Sequence, residues 1–171
     1  ETLLTVRQQM KNGKVMTDIN LKLPDASTLS CHKVILMAAS PFFNTMLQSG
    51  LKESSEEDAR LNFADVNTIK AVVEFFYTSE IEINEENVQA ICAASEFLCV
   101  QDLKDECEKF MMTLLDSTNC IELKRFGEKF GLKELHSKAH AFILLNFKDV
   151  MKHFTEFKTL TEEELTELVA D

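Results

Sequence analysis

Two runs, Asp18-Ile-Asn-Leu-Lys-Leu23 and Ser30-Cys-His-Lys-Val-Ile-Leu-Met-Ala-Ala-Ser-Pro-Phe-Phe43, decide the fold of this chain. In the first run apolar residues alternate with polar ones, which predicts a half-buried β-strand. In the second run an apolar stretch reaches Ser40-Pro41, where a new helix is expected to start with Ser40 as its N-cap. Gly50 is typical of a residue that ends such a helix. The pattern therefore predicts one strand and two successive helices before Gly50.

The residues around these runs predict further small β elements. Pro24-Asp25-Ala26-Ser27 supplies turn chemistry, so Thr28 to Cys31 is expected to return beside the first strand as a hairpin. Short strands are also predicted for Arg60 to Phe63 and for Ile81 to Ile83, with a helix over residues 67–77 between them. Short strands mixed with helices indicate an α+β region.

Beyond residue 83 the patterns are helical only. Asn84 is expected to cap a helix, Asp102 to open the next, and Gly131 to close another before a helix from Lys133 to Phe147. Alternating helices with short links are typical of an all-α array of helical hairpins. We therefore predict two domains, residues 1–115 and residues 116–171. Because the chain ends in mid-pattern, we also expect it to be a piece of a longer protein.

The amino-terminal segment is predicted to form one short amphipathic helix. Its apolar residues recur at near-helical spacing, and Gly13 follows them. A helix this short is marginal on its own, so its apolar stripe must pack against something. From the residues alone, the chain's own core and a partner subunit are both open. The stripe consists of Leu3, Leu4, Val6 and Met10.

Composition narrows the classes of partner. The formal net charge is −11, from 29 acidic and 18 basic residues, and such a surface repels nucleic acid and anionic membranes. No apolar run is long enough to span a bilayer. The five cysteines contain no Cys-x-x-Cys pair and are expected to be small hydrophobes in a reducing compartment, the cytoplasm or the nucleus. We expect protein surfaces as partners, with no nucleic acid and no membrane.

Four features occur in an order that resembles the BTB/POZ domain, specifically its kelch-like branch. Asp18 opens a strand, His32-Lys33 opens an apolar helix, Ser40-Pro41-Phe42-Phe43 opens the next, and Leu51-Lys52-Glu53 follows Gly50. The resemblance implies a small sheet flanked by helices. The helical continuation after residue 116 resembles the start of the BACK domain.

This resemblance implies a function that the residues alone would not supply. The chain would be a dimeric substrate adaptor that binds the amino-terminal domain of cullin-3 in a cullin-RING ubiquitin ligase, without being an enzyme and without a cofactor. The substrate would be captured by a kelch propeller outside this chain. The cullin contacts implied for this sequence are Met46, Leu51, Glu53 and Tyr77. Alternatively, Leu51 folds back onto the helix end, since apolar contacts accompany many glycine helix ends.

The resemblance also implies a homodimer interface. The amino-terminal stripe would pack on the partner subunit, and Asp18 and Lys33 would lie in a charged pocket near that interface. The alternative is two independent surface charges, which contribute little to stability. His32 is expected to be a structural imidazole that caps its helix.

Catalytic and metal chemistry find little support in the residues. His136 and His140 have the helical spacing of a metal pair, but Ser137 stands where a zinc protease carries Glu and no third ligand is indicated. No Gly-x-Ser-x-Gly elbow and no glycine-rich phosphate loop occurs. We predict no enzyme and no metal site.

The second functional hypothesis is the BTB dimer of a transcriptional regulator that recruits a corepressor. The Leu51–Glu53 loop and the helical continuation argue against it.

Overall fold

A computed structural model describes Arg7, residues 16–48 and residues 58–153 of the chain. It divides the chain into two compact units, residues 1–107 and residues 108–171. The predicted amino-terminal helix, the end of the second helix at Gly50 and the loop from Leu51 to Glu53 lie outside the described residues. Each unit is presented by itself.

The first unit contains a three-stranded sheet in the order β2-β1-β3. Strand β1 (Ile19–Lys22) pairs antiparallel with β2 (Thr28–Cys31) and parallel with β3 (Asp58–Arg60). The turn between β1 and β2 closes with a hydrogen bond of 2.9 Å from Leu23 N–H to the Ser27 carbonyl. The predicted first strand and hairpin are therefore confirmed.

The two faces of the sheet differ in polarity. The apolar face buries Ile19 and Leu21, which explains the alternation in the sequence. On the opposite face Ser30 Oγ donates to Asn20 Oδ1 at 2.9 Å, and the Lys22 ammonium lies 2.6 Å from the Asp58 carboxylate. The apolar face therefore packs on the helices of this unit.

Among the described residues, five helices lie between the hairpin and residue 113. Ser40 is the N-cap of the second helix, as predicted, because its Oγ accepts the N–H of Phe43 at 3.3 Å. The same hydroxyl donates to the Leu98 carbonyl at 2.6 Å, which ties this cap to the end of a later helix. The helices are α1 (Lys33–Ala39), α2 (Pro41–Gln48), α3 (Val66–Thr78), α4 (Val88–Phe97) and α5 (Gln101–Thr113).

Asp65 caps α3 and makes its stability dependent on pH. Its carboxylate accepts hydrogen bonds from the N–H groups of Asn67 and Thr68 at 2.9 and 3.0 Å and from the Thr68 hydroxyl at 2.5 Å. The Thr68 hydroxyl is the main reason that the pKa of Asp65 lies below its ordinary value. The cap is therefore fully present above the unfolded-state pKa and is lost as the pH falls through the lower, folded-state pKa.

We expect Asp65→Ala to lower the free energy of unfolding at pH 7 by about 1 kcal/mol, the usual contribution of an N-cap. Urea denaturation measured at neutral and acid pH checks this, and the difference between parent and variant should narrow below about pH 4. Glu85→Ala, at an exposed carboxylate in the turn before α4, is the control outside a helix. If the free energy of unfolding differed between the parent and Asp65→Ala by the same amount at every pH, this role of the carboxylate would be contradicted.

Two predicted elements are wrong in position or type. The strand expected over Arg60 to Phe63 lies earlier in the chain, at β3. Residues 81–83 were expected to form a strand but have no regular structure in the described chain. Asn84 caps a turn, since its Oδ1 accepts from the N–H groups of Glu86 and Asn87 at 3.1 Å each, and α4 starts only at Val88.

The second unit is helical throughout its described residues. It contains α6 (Cys120–Phe130), α7 (Lys133–Leu145) and α8 (Phe147–His153). Gly131 ends α6 in the left-handed region with φ of 66°, as predicted. The helix predicted to reach Phe147 stops earlier, at Asn146, whose Nδ2 donates to the Phe142 carbonyl at 2.9 Å. The helical-hairpin prediction is therefore confirmed with one added break.

Aliphatic residues dominate the core of this unit. A buried cluster contains Cys120, Ile121, Ile143 and Val150, with Leu115 and Phe142 packed against it. Phe126 and Phe130 are half-buried, and their rings, tilted by 35°, contact each other at 4.4 Å between centroids.

All five cysteines have free thiols. Four are buried, as expected of small hydrophobes, whereas Cys99 is exposed at a positive φ of 57°. Burial raises the pKa of the Cys120 thiol. Within the described segments, no helix combines the length and the apolar character needed to cross a membrane.

Candidate protein-interaction surface

Helix α2 separates a buried face from an outward face. Phe43 and Leu47, four residues apart, enter the core, and Phe43 is 0% exposed. Phe42 and Met46 have the same spacing on the adjacent side of the helix, and both are half-buried. The Ser40 cap fixes where α2 begins and hence which side chains face outward. Met46, one of the predicted cullin contacts, therefore lies beside an apolar residue of the same helix face.

Three phenylalanine rings form a partly exposed cluster at this part of the first unit, which we call the aromatic patch: Phe42, Phe63 and Phe97. The Phe97 ring is stacked on Phe63, with centroids 4.5 Å apart and planes 16° apart, and lies 4.7 Å from Phe42. Phe97 is 46% exposed, an unusual position for a large apolar side chain. An exposed apolar cluster of this kind marks a surface suited to protein contact.

The sequence analysis did not predict this patch, although the sequence contains a signal for it. Phe42 and Phe43 are neighbours at the start of a helix, where successive side chains point in different directions. Only one of them can enter the core, so the other had to lie at a surface. The same argument applies to Phe97 beside Leu98, which is 1% exposed. What brings Phe42, Phe63 and Phe97 together is tertiary packing between distant segments, which no local pattern reveals.

Leu51 and Glu53, the predicted loop contacts, lie outside the described residues. So do Leu3, Leu4, Val6 and Met10, the predicted dimer stripe. The roles of these six residues remain predictions.

Tyr77 has an internal role in the structure. It is only 3% exposed, and its hydroxyl accepts the backbone N–H of His32 at 3.0 Å and lies 2.9 Å from His32 Nδ1. Because the oxygen already accepts the N–H, its own proton is available to Nδ1. This arrangement joins α3 to the junction between β2 and α1. A partner contact by Tyr77 remains an untested prediction, and its burial leaves little side-chain surface for one.

His32 is structural, as expected, but in a different way from the one predicted. It occupies the N-cap position of α1, yet its side chain makes no capping hydrogen bond there and turns instead to Tyr77. The ring is 2% exposed. The predicted cap is therefore wrong, and the imidazole anchors α3 to the start of α1.

Asp18 and Lys33 are brought together, as the resemblance implied. The Asp18 carboxylate accepts a hydrogen bond of 2.7 Å from the backbone N–H of Lys33, in the first turn of α1. In the single chain Asp18 is exposed and Lys33 is half-buried. The bond fixes the chain before β1 against the start of α1. A role in a dimer remains a prediction.

The residues considered for metal chemistry lie in the second unit. His136 and His140 are half-buried on α7. Among the residues that the structure describes, no three His, Cys, Asp or Glu side chains are grouped so that they could hold a metal ion. The described part of the chain thus gives no positive evidence for a catalytic or metal centre. Its distinctive surface is the apolar one around α2.

A small mixed sheet, a capped α2 and an outward apolar surface define a protein-interaction module. The family model described as BTB/POZ domain matches residues 6–115, and the model described as BTB And C-terminal Kelch, or BACK, matches residues 120–171. The chain belongs to the BTB/POZ domain family. The resemblance inferred from Asp18, His32-Lys33 and Ser40-Pro41 is thereby confirmed.

Several relatives match this chain over nearly its whole length. Kelch repeat and BTB domain-containing protein 8 of Danio rerio is 34% identical over 167 residues, covering 96% of this chain and 28% of that protein. The protein of the same name in Homo sapiens is 32% identical over 168 residues, or 98% and 28% of the two chains. Kelch-like protein 24a of Danio rerio is 31% identical over 170 residues, or 99% and 28%. The chain therefore spans just over a quarter of the length of these relatives.

Proposed function

We propose that this chain is the BTB–BACK part of a non-enzymatic substrate adaptor, and that it binds the amino-terminal domain of cullin-3 in a ubiquitin ligase. The proposed contacts are Met46 with the Leu51–Glu53 loop. Substrate would be bound by a separate domain of the full-length protein. The names of the relatives favour kelch repeats as the form of that domain.

The observation that supports this proposal most is the apolar surface beside Met46. The aromatic patch places exposed ring area next to the outward face of α2, and apolar clusters flanked by charged residues suit protein recognition. The net charge of −11 favours a protein partner with basic groups around its own apolar contacts. We extend the proposed cullin face to include Phe97.

The decisive test is calorimetric titration of the chain with the amino-terminal domain of cullin-3. We expect Leu51→Asp and Glu53→Ala each to weaken binding by about 1–3 kcal/mol, the range for interface anchors. Glu56→Ala, the same type of change in the same acidic segment, should bind like the parent. Equal binding by Leu51→Asp and the parent would remove the loop from the proposed site.

The titration also tests the aromatic patch. Phe97→Ser removes an exposed ring with little change in the core, so the variant should fold normally and bind cullin-3 more weakly. Absence of cullin-3 binding by a folded parent would overturn the adaptor proposal. A corepressor peptide that bound the folded parent instead would support the transcriptional alternative.

We further propose that the chain forms a homodimer through Leu3, Leu4, Val6 and Met10 together with Asp18 and Lys33. The BTB part is proposed to end near residue 115, although compactness divides the chain earlier, after residue 107. The five free thiols support a reducing compartment, the cytoplasm or the nucleus. Multi-angle light scattering of the parent and of Val6→Asp tests the dimer, since a monomeric parent would contradict it.

A further inference from the structure

A second surface of the first unit lies on the side of β2 away from β1. In the described part of the chain β2 is an edge strand, since the order is β2-β1-β3. A cavity of about 190 Å³ lies between this strand and α3. Leu29 and Cys31 from β2 and Val73 and Tyr77 from α3 line it with apolar surface.

The backbone of β2 offers hydrogen-bonding groups at this edge. Leu23 N–H bonds to the Ser27 carbonyl, and the register pairs Leu21 with Leu29. In an antiparallel pair, alternate residues turn their N–H and C=O groups toward the neighbouring strand. Leu29 therefore faces β1, whereas Thr28 and Ser30 turn their backbone groups toward the free edge.

Ser30 also lines the cavity, together with Leu29 and Cys31. Its side chain lies on the polar face of the sheet, where Oγ donates to Asn20. The cavity therefore adjoins three consecutive residues of β2, and the backbone groups of the middle one turn toward the free edge.

The residues that line the cavity favour contact with another protein over a chemical reaction. Burial raises the pKa of the Cys31 thiol to about 12, so it is not a nucleophile near neutral pH. The Tyr77 hydroxyl is engaged by His32. The rim carries one cation and one anion, Lys70 and Glu74, which are one turn apart on α3. The interior can therefore take one apolar side chain, with polar groups beside it.

We infer that the free edge of β2 and the adjoining cavity form a docking site for an extended peptide segment of another protein. The segment adds a strand beside β2, bonds to the backbone of Ser30 and inserts one apolar side chain between Leu29 and Val73. Strand addition beside a side-chain pocket is a general mode of peptide recognition. This site is independent of the proposed cullin-3 face, because it uses β2 and α3 and none of Met46, Leu51 or Glu53.

A random heptapeptide library displayed on phage and selected on the parent chain tests this inference. The matched variants are Ser30→Pro, which removes the outward N–H donor at an edge position that tolerates proline, and Ser30→Ala, which keeps it. Lys70→Trp is the second blocking variant, since it changes an exposed rim residue and places a ring at the cavity mouth without altering the core. Far-UV circular dichroism verifies that each variant is folded, because the tryptophan added by Lys70→Trp would mask the fluorescence of Tyr77, the only tyrosine.

We expect enriched peptides in which apolar and polar residues alternate. They should bind the parent and Ser30→Ala equally, and Ser30→Pro and Lys70→Trp more weakly by about tenfold or more, as for one lost hydrogen bond. Enriched peptides that bind all four proteins equally, or no enrichment, would overturn the inference. If no peptide is enriched and the parent self-associates in a way that Ser30→Pro abolishes, the inference is overturned. The occupant of this edge is then a second copy of the chain.

Discussion

Phe43→Ala is expected to lower the free energy of unfolding of the first unit by about 3–5 kcal/mol. The Phe43 ring is completely buried, and it meets Phe76 of α3 edge to face at 6.4 Å between centroids. Removing it leaves a cavity between α2 and α3 that rigid backbone elements cannot close. Urea denaturation monitored by the fluorescence of Tyr77 measures this unit specifically, because no other tyrosine and no tryptophan is present.

Phe42→Ala is the matched control for this prediction. It makes the same chemical change one residue earlier, at a half-buried ring of the aromatic patch. We expect a loss of about 1 kcal/mol, because much of this ring remains in contact with solvent. Equal losses for the two variants would show that Phe43 is not the principal anchor of α2.

Gly127→Leu is expected to destabilise the second unit by about 3 kcal/mol or more, through overpacking. A Cβ atom at Gly127 would lie 3.0 Å from the backbone nitrogen of His136 and 3.2 Å from the Leu132 carbonyl oxygen. Both neighbours are backbone atoms, which cannot rotate away as a side chain would. Helices α6 and α7 must separate to admit the new side chain. Amide hydrogen exchange in α6 and α7 measures the resulting loss of protection.

Gly131→Leu separates this steric cost from the general cost of replacing a glycine. At Gly131 a Cβ atom would meet nothing within 4 Å, but φ is +66°. The cost is therefore backbone strain alone, about 1–2 kcal/mol. If Gly131→Leu destabilised the unit more than Gly127→Leu does, the close approach of the two helices would be contradicted.

Local chemistry was sufficient to predict many of the helix ends and the hairpin. Ser40-Pro41 has the residue types preferred at a helix start, and Gly131 accepts a left-handed conformation that other residues avoid. The strand from Asp18 to Leu23 could be predicted from its alternating apolar and polar residues, because that pattern needs only one buried face of the sheet. The BTB/POZ assignment followed from these same residues, because their order and spacing are specific.

Features that depend on distant partners were predicted less well. Ile81 and Ile83 have the composition of a strand, but a strand exists only where another strand pairs with it, and none of the described strands does so. The bond between Tyr77 and His32 joins residues 45 positions apart. The contacts of Phe97 with Phe42 and Phe63 were similarly unpredictable, although its position beside the buried Leu98 indicated a surface residue. Tertiary contacts decide these cases, and one sequence does not encode them in a local pattern.

The parallel pairing of β1 with β3 has a consequence for synthesis of the protein. Asn20 must pair with Asp58, 38 positions later, whereas the partner of β1 in the hairpin follows at once. A ribosome adds roughly 5–20 residues per second, so β1 waits roughly 2–8 seconds for β3. During that interval the nascent hairpin presents a second open edge, with Ile19 and Leu21 lacking their final cover. Exposed edges of this kind invite pairing with other chains. Until β3 is synthesised, this edge of the nascent hairpin is therefore open to pairing with other chains.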